Sequence, residues 1–267
     1  MVKRILAGSL AALLLVGCGG GGSNSGSAYV YGVNAIPNAG AVSITANGGV
    51  VLNNAAYLST SSAFVSVSAG SNATVFLTNS SSTQLASGST TLTAGDYYTT
   101  FAIGNAVNQY VFVYPTDVSA PAANTAKISF VNSSILQPSV DVYVAPQGAA
   151  TLGTAAISSM TPFNSGQQVT GLTAGTVYTV QFNVAGTNVS LGSTTVTTGT
   201  TPATNEIQLV AITDSQTGTS PAQTILPPIA IPVVAGATAP KNIVRPVVIG
   251  HPGMTSFPKS MTSGVKL

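Results

Sequence analysis

An internal repeat constrains the fold of this chain more than any other feature of its sequence. Residues 88–95 (GSTTLTAG) recur 104 positions later as residues 192–199 (GSTTVTTG). Other matches keep nearly the same offset, with a few residues added in a loop: Val33-Asn34 with Val131-Asn132, Val42–Ile44 with Val140–Val142, and Val67–Gly70 with Leu172–Gly175. This period is too long for a solenoid repeat or a propeller blade, and it predicts two similar units of about 90–100 residues.

The repeated unit has the signals of short β-strands. Val140, Val142 and Val144 alternate with other residues, so one face of that segment is apolar. Further segments are rich in β-branched and aromatic residues: Tyr29–Tyr31, Phe64–Val67, Thr74–Leu77 and Tyr110–Tyr114. Glycines separate such segments, and we expect turns with positive φ at four places: Ala69-Gly70, Ala94-Gly95, Ala174-Gly175 and Thr198-Gly199.

The polar residues of this chain disfavour helices. Charged residues make up 4% of the sequence, against roughly 25% in an ordinary soluble protein. Ser, Thr, Asn and Gly take the polar positions instead, and these residues suit pleated strands and turns, whereas exposed helix faces usually carry Glu, Lys and Arg. The sequence therefore predicts an all-β chain with two tandem β-sandwiches of seven or so strands each.

The charge distribution argues against nucleic acid as a partner. Lys127 is the one basic residue between positions 19 and 220, where it stands against five acids: Asp96, Asp117, Asp141, Glu206 and Asp214. A nucleic-acid-binding protein needs a basic surface that meets phosphates. The remaining basic residues lie at the two ends of the chain, so we expect no nucleic-acid partner.

The N-terminal 27 residues have the organisation of an export signal followed by a tether. Lys3 and Arg4 precede an apolar run over residues 5–17, which is too short to span a hydrocarbon core of roughly 30 Å. The run ends in residues 15–18 (LVGC), which resemble the lipobox of bacterial lipoproteins. That resemblance implies cleavage before Cys18 and attachment of lipid, palmitate included, to Cys18. Residues 19–27 (GGGGSNSGS) predict a flexible tether, so we expect the membrane as a partner through the N-terminal lipid, in an anchored and not a spanning protein.

Two alternatives to lipidation remain for Cys18. It is either an incidental residue of an ordinary signal peptide or a buried structural cysteine. Because it is the sole cysteine, an internal disulfide is impossible. Gly19, in place of an aspartate directly after the cysteine, resembles lipoproteins sent to the outer membrane. We therefore expect a cell-envelope protein at the outer membrane or cell surface rather than at the inner membrane.

One strand and its spacing resemble DUF4397, a domain of unknown function from bacterial exported proteins that often occurs in tandem. Residues 139–144 (SVDVYV) match a V-D-V-Y-V strand of that family. Family members carry a His-Ala-Ser-Pro-Asp-Ala-style segment after the first strand, and here Asn34–Asn38 (NAIPN) and Asn132–Leu136 (NSSIL) take its place without the histidine or the acid. The resemblance covers residues 28–214. It implies an immunoglobulin-like or transthyretin-like sandwich and brings no catalytic residues.

The side chains offer little reactive chemistry. His251 is the only histidine and lies near the C-terminus, so the body cannot assemble a Ser–His–Asp triad, a Cys–His pair or a histidine metal site. We expect Asp141 to face outward from its strand, and Asp117 and Asp214 to hold turns at equivalent ends of the two units. No calcium-loop pattern is present. The sequence thus predicts no enzyme activity, no metal and no cofactor, with the Tyr and Phe side chains in the core rather than in a sugar-binding platform.

These observations divide the chain into six parts: a signal peptide (1–17), the lipidated cysteine with its tether (18–27), a first sandwich (28–117), a linker (118–125), a second sandwich (126–216) and a proline-rich basic tail (217–267). We expect the tail to be extended and mostly disordered, because proline interrupts helices and central strands. Its apolar residues 225–234 are suited to lying along a sandwich edge or another protein. The tail either contacts anionic lipid headgroups or cell-wall polymers, or has no role.

The functional expectation is a non-enzymatic, membrane-anchored envelope lipoprotein. Its two sandwiches would serve in adhesion, contact with an envelope polymer or envelope structure, with a polymer, glycan or protein as the partner. The alternative is a lipoprotein that binds a glycan or small ligand and serves a membrane complex.

Overall fold

The computed structural model describes residues 26–137, 139–163, 167–199, 207–216, 223–237 and 247–250. All regular secondary structure in these ranges is β-strand, which confirms the predicted all-β class. Among these residues no helix is long and apolar enough to cross a membrane. The predicted signal peptide, Cys18, most of the tether, Glu206 and His251 lie outside the described residues.

Eight strands form the first sandwich: β1 (Ser27–Asn34), β2 (Val42–Ala46), β3 (Gly49–Ala55), β4 (Val65–Ser68), β5 (Gly70–Asn79), β6 (Gln84–Leu92), β7 (Tyr97–Gly104) and β8 (Gln109–Pro115). Their order is β4-β1-β7-β8 in one sheet, which we call the first inner sheet, and β3-β2-β5-β6 in the first outer sheet. β1 and β7 are parallel, and the other neighbouring strands are antiparallel.

The second sandwich repeats this arrangement with nine strands: β9 (Thr125–Asn132), β10 (Val140–Pro146), β11 (Ile157–Met160), β12 (Gln167–Thr173), β13 (Val177–Val184), β14 (Ser190–Thr197), β15 (Ile207–Asp214), β16 (Gln223–Ile225) and β17 (Ile229–Ile231). The second inner sheet has the order β12-β9-β15, and β16 and β17 both pair with β15; the second outer sheet has the order β11-β10-β13-β14. β9 and β15 are parallel, like β1 and β7. β16 and β17 therefore take the place of β8.

The strand order distinguishes between the two sandwich types that the family resemblance implies. Immunoglobulin constant domains place strands A-B-E-D in one sheet and C-F-G in the other. Here the first strand lies between the fourth and the seventh, and the second lies between the third and the fifth. Each unit thus has eight strand positions, one more than expected, in two four-stranded sheets. This arrangement differs from the immunoglobulin order and favours the transthyretin-like alternative.

The burial pattern of the strands differs between inner and outer sheets. Along β2 buried and half-exposed residues alternate, as in a strand with one face on a core. In the inner sheets β7 and β8 are buried at all but one residue each, and β15 is buried along its whole length. Continuous burial means that both faces of the inner sheets are covered.

An apolar seam covers the second face of both inner sheets. We use this name for one buried cluster with members from both sandwiches: Tyr31, Val33, Ala35, Phe101, Ile103, Tyr110, Phe112, Tyr114, Val118, Val131, Phe163, Ile207, Leu209, Ala211, Leu226, Ile229 and Ile231. The rings of Phe112 and Phe163 meet across it in a T-shaped contact at 5.4 Å. Separate cores lie inside the first and the second sandwich. The molecule is thus a stack of four sheets with three apolar layers between them.

The repeated Val-Asn motif has the same structural role in both sandwiches. The buried Asn34 donates its side-chain amide to the carbonyl oxygen of Ala55 and accepts the backbone N–H of Ile36. The equally buried Asn132 donates to the carbonyl oxygen of Met160 and accepts the N–H of Ser134. Each asparagine therefore shapes the loop after the first strand and ties it to the end of the third.

Two corners use a second repeated motif, L-T-A-G-x-x-Y. At residues 92–98 the Tyr98 hydroxyl accepts the backbone N–H of Thr93, and at residues 172–178 the Tyr178 hydroxyl accepts that of Thr173, both at 2.9 Å. The glycines of these corners have φ of 84° and 71°, which confirms two of the expected turns. Gly70, by contrast, begins β5 without a positive φ, so that expectation was wrong.

The structure corrects the expectation of disorder for the described part of the proline-rich tail. β16 and β17 belong to the second inner sheet, and β18 (Val247–Ile249) pairs antiparallel with β8 of the first inner sheet. Proline is tolerated here because it interrupts or flanks short strands at a sheet edge: Pro227 and Pro228 separate β16 from β17.

Substitution of the two motif asparagines tests their role. Asn34→Ala and Asn132→Ala each leave a carbonyl oxygen and a buried N–H without the asparagine partner, so we expect each to lower the free energy of unfolding by about 2–4 kcal/mol. Urea denaturation measures this loss. Asn53→Ala, at an exposed position of β3, is the matched control and should change stability by less than about 0.5 kcal/mol. Equal effects at all three positions would contradict the proposed role.

Candidate binding cleft

A cleft opens at one end of the apolar seam, where loops of both sandwiches meet. Its volume is about 560 Å³, within the range of small-ligand sites. It is lined by Pro37, Asn38, Gly104, Asn105, Ala106, Val107, Asn108, Ile135, Leu136, Asp214, Ser215 and Gln216. These residues come from the loops after β1, β7 and β9 and from the end of β15. The loops after β1 and β9 occupy equivalent positions in the two sandwiches, so the cleft lies where corresponding parts of both units converge.

Hydrogen bonds between the sandwiches hold the two sides of the cleft together. The Thr213 hydroxyl donates to the carbonyl oxygen of Ala35 at 3.0 Å, and both residues are buried. The Asn38 side-chain amide donates to the carbonyl oxygen of Gln216 at 3.0 Å. The Tyr57 hydroxyl donates to the carbonyl oxygen of Asp214. The cleft is therefore built into a fixed junction.

The lining combines apolar side chains with amides. Four large apolar side chains are strongly exposed among the described residues, and two of them, Val107 and Leu136, line this cleft with 77% and 61% of their surface accessible. Asn105 folds its own loop by accepting the N–H groups of Val107 and Asn108. Apolar contact with a few polar groups is the usual composition of a binding site, and the exposed pair gives this cleft an apolar rim.

Asp214 is the acidic residue of the cleft, and its carboxylate is largely engaged. It accepts hydrogen bonds from the Ser134 hydroxyl and, at 3.0 Å and 3.4 Å, from the backbone N–H groups of Ile135 and Leu136. Burial raises the pKa of Asp214, and these hydrogen bonds reduce that increase without cancelling it. The carboxylate thus fixes the loop after β9 to the end of β15, which is a positioning task.

A row of half-exposed aromatic side chains lies elsewhere on the first sandwich. Tyr29 and Tyr97 stack with ring centres 4.7 Å apart, and Phe64 contacts Tyr97 edge-on at 5.1 Å. Phe64 also contacts Tyr31 at 5.5 Å. Burial raises the pKa of Tyr97, with a smaller contribution from Tyr29. Most other aromatic rings lie inside the cores, but this row is partly accessible.

The acidic residues that were candidates from the sequence lie apart from one another in the described part of the structure. Asp141 was expected to face outward, but it is buried and accepts the backbone N–H groups of Ser159 and Gly186 at 2.7 Å and 2.8 Å. Asp96 is exposed in a turn. Within the described ranges no three His, Cys, Asp or Glu side chains form a group that could hold a metal ion.

Asp117 and Asp214 do not occupy equivalent ends of the two units, contrary to the expectation. Asp214 ends β15, the counterpart of β7, whereas Asp117 follows β8, the next strand, which runs in the opposite direction. The error arose because the last strand of the second unit, β16 with β17, lies in the proline-rich segment. Asp117 forms an ion pair with Lys127 at 2.7 Å. Burial works against ionisation of Asp117, but hydrogen bonds from Lys127 and Ser119, with the Lys127 charge, keep its pKa below the ordinary value.

Sequence reasoning did not predict the cleft, although one signal pointed to it. Asn34–Asn38 and Asn132–Leu136 are the two segments that stand in for the family's His-Ala-Ser-Pro-Asp segment, and both contribute residues to the lining. Their correspondence was visible in the sequence. Their meeting in space was not, because it depends on how the two sandwiches pack.

Fold and cleft together define a protein of two β-sandwiches with a candidate binding site at their junction. Residues 28–143 match the family model of DUF4397, a domain of unknown function. The match spans the first sandwich and continues through β9 into β10. No curated protein matches this chain.

The pH dependence of stability tests the state of Asp214. Its raised pKa means that the folded protein binds this proton more tightly than the unfolded chain does, so the contribution to stability is full below the ordinary pKa of 3.8 and declines as pH rises through the folded pKa. We expect urea denaturation between pH 3 and pH 8 to show this decline in the wild-type protein and to lack it in Asp214→Asn. Asp96→Asn, at an exposed position, should keep the wild-type profile; a wild-type slope in Asp214→Asn would contradict the effect of burial.

Proposed function

We propose that this chain is a non-enzymatic bacterial envelope lipoprotein that is anchored through lipid on Cys18 and contacts a neutral envelope polymer through the cleft between its two sandwiches. The observation that carries the binding half of the proposal is the convergence of corresponding loops from both units on one apolar-rimmed cleft of about 560 Å³. A junction between domains is a common place for a binding site. The anchor would hold this cleft at the membrane surface.

The anchoring half rests on the N-terminal sequence. A basic start, a short apolar run and the residues LVGC precede a Gly- and Ser-rich stretch that leads directly into β1. A sole cysteine at the end of such a run has a ready explanation as a lipid attachment site. Gly19 favours the outer membrane as the destination.

We further propose that the second sandwich is a diverged copy of the DUF4397 domain. It repeats the strand order of the first sandwich, including the parallel pair of its inner sheet. It also repeats the hydrogen bonds of the motif asparagines Asn34 and Asn132. A duplicated unit accounts for the matching loops that meet at the cleft.

The chemistry of the lining favours a neutral ligand. Its side chains are mainly amides and apolar groups, and the carboxylate of Asp214 already accepts several hydrogen bonds. A charged ligand would lose hydration without gaining an opposite charge. A polymer rich in hydroxyl and amide groups, such as the glycan strands of a cell wall, would lose less on entering. The same engagement of Asp214 supports a role without catalysis.

Lipidation is tested by intact mass and membrane fractionation of the expressed full chain beside Cys18→Ala. We expect the wild-type protein to carry a diacyl or triacyl mass increment and to sediment with membranes, and the variant to lack the increment and leave the membrane fraction. Ser23→Ala, in the predicted tether, is the control and should behave like the wild type. A cleaved, soluble wild-type protein without lipid would overturn the anchoring half and leave the cleft proposal standing.

Polymer contact is tested by co-sedimentation of the mature chain, carrying Cys18→Ser for solubility, with purified cell-wall sacculi. We expect Leu136→Asp to lower the bound fraction at least tenfold, because it places a charge at the apolar rim of the cleft. Val189→Asp is the matched control, since Val189 is 60% exposed and Leu136 is 61% exposed, and it should bind like the parent chain. Equal binding by both variants, or none by the parent chain, would contradict the proposal.

A glycan-binding role at another surface is the second candidate, and the aromatic row of Tyr29, Phe64 and Tyr97 favours it. Partly accessible rings present the apolar faces on which sugar rings can pack. The same sedimentation assay separates the two sites. Loss of binding in Tyr97→Ala, with binding retained in Leu136→Asp and in Tyr143→Ala, would assign the contact to the aromatic row instead of the cleft.

A further inference from the structure

The point where the predicted tether joins the first sandwich is fixed by the connections that follow β4 and β6. The carbonyl oxygen of Gly26 accepts the N–H of Ala69 at 2.9 Å, and that of Ser27 accepts the N–H of Gly95 at 2.8 Å. A β-carbon on Gly26 would lie 2.5 Å from Cβ of Ala94, so the chain lies directly against the second connection. We call this end of the first sandwich the tether end.

The aromatic row lies at the tether end. Tyr29 and Tyr97 come near the starts of the parallel strands β1 and β7, where they are register partners and stack with ring centres 4.7 Å apart. Phe64, directly before β4, contacts Tyr97 edge-on at 5.1 Å. All three side chains are half-exposed. An accessible aromatic surface thus begins three positions after Gly26.

This row continues the face of the first inner sheet that the apolar seam covers. Side chains alternate along a strand, so Tyr29, Tyr31 and Val33 share one face of β1. Val33 is fully buried and Tyr31 is 6% exposed, both within the seam, whereas Tyr29 is half-exposed. The packing that buries this face toward the cleft therefore leaves it partly open at the tether end.

The cleft lies at the opposite end of the same strands. β1 leads into the loop that contains Pro37 and Asn38, and β7 ends at Gly104; all three residues line the cleft. Tyr97 and Gly104 are seven positions apart, which is about 23 Å along an extended strand. The aromatic row and the cleft therefore face opposite ends of the first sandwich.

We propose that the aromatic row is a membrane-contact surface, which enters the headgroup region of the bilayer that carries the lipid on Cys18 and turns the cleft away from that bilayer. Cys18 and Gly26 are eight positions apart, up to about 28 Å of chain, so the lipid keeps the row close to the headgroups. Tyrosine is enriched at membrane interfaces, where its ring lies near the acyl chains and its hydroxyl among the headgroups. This inference rests on the anchoring half of the proposed function.

The charges near the tether end determine which lipid surface the row suits. Within the described ranges the one basic residue, Lys127, is paired with Asp117, and Asp96 is exposed directly before Tyr97. Anionic headgroups would repel Asp96 and would find no unpaired basic side chain among these residues. Contact through aromatic rings is therefore suited to zwitterionic lipids. The place of the row beside the tether favours a bilayer over a glycan as its partner.

The sole cysteine permits a test that does not require lipidation in the cell. The mature chain, beginning at Cys18, is coupled through its thiol to a maleimide-bearing lipid in phosphatidylcholine vesicles. The chain has no tryptophan, so a single introduced tryptophan reports its own depth through quenching by brominated lipid. We expect Tyr97→Trp and Phe64→Trp each to be quenched about three times or more as strongly as two controls. These are Tyr143→Trp, at a half-exposed position of β10, and Val107→Trp, at the rim of the cleft.

The controls separate the contact from the orientation and from the anchor. Quenching at both row positions no stronger than that of Tyr143→Trp would overturn the membrane contact, and strongest quenching of Val107→Trp would overturn the orientation. Loss of sacculus binding in Tyr97→Ala, without quenching at either row position, would assign the row to a glycan. Absence of lipid on Cys18 in the expressed chain would instead overturn the anchor, and intact mass detects this independently of the vesicle result.

Discussion

The apolar seam between the two inner sheets is the contact on which the rest of this structure depends. Without it each inner sheet would expose a face carrying large aromatic and aliphatic side chains, and such a patch is rare on an isolated soluble domain. Fully burying one such side chain contributes roughly 1.5–3 kcal/mol, so a seam with members from both units favours packing of the sandwiches against each other. The cleft follows from this packing, since it forms where the seam ends and the loops of both units meet.

The strands that the sequence predicted best are those with one buried face. β2 carries alternating apolar residues because one of its faces lies on a core, and alternation identifies such a strand directly. The alternating valines also identified β10, but its burial does not alternate, because Asp141 is buried beside them. β8 and β15 are apolar on both faces. A continuous apolar run indicates that both faces are covered, but it does not identify the element that covers the second face. The two sandwiches were therefore predictable, and their mutual packing was not.

The proline-rich segment shows how composition conceals an edge strand. Proline density correctly excludes a central strand, since proline donates no hydrogen bond to a neighbour. Three-residue strands on either side of Pro227-Pro228 need few backbone bonds, and β15 supplies them along one side. The apolar residues Ile225, Ile229 and Ile231 were visible in the sequence. Residues 225–234 were accordingly expected to lie along a sandwich edge or another protein. The missing information was that the repeat needs an eighth strand, which only the complete strand order of the first unit makes apparent.

Polar contacts at the two ends of the seam fix how the two inner sheets are aligned with each other. Burial of apolar surface is non-directional, so by itself it would allow the inner sheets to slide or rotate over one another. Near one end the ion pair of Lys127 with Asp117 ties the end of the first sandwich to β9, and at the other end Thr213 and Tyr57 form hydrogen bonds across the junction next to Asp214. Each bond requires one particular alignment of donor and acceptor. These polar contacts at both ends thus fix the relative position of the two sandwiches, and the cleft keeps its shape for the same reason.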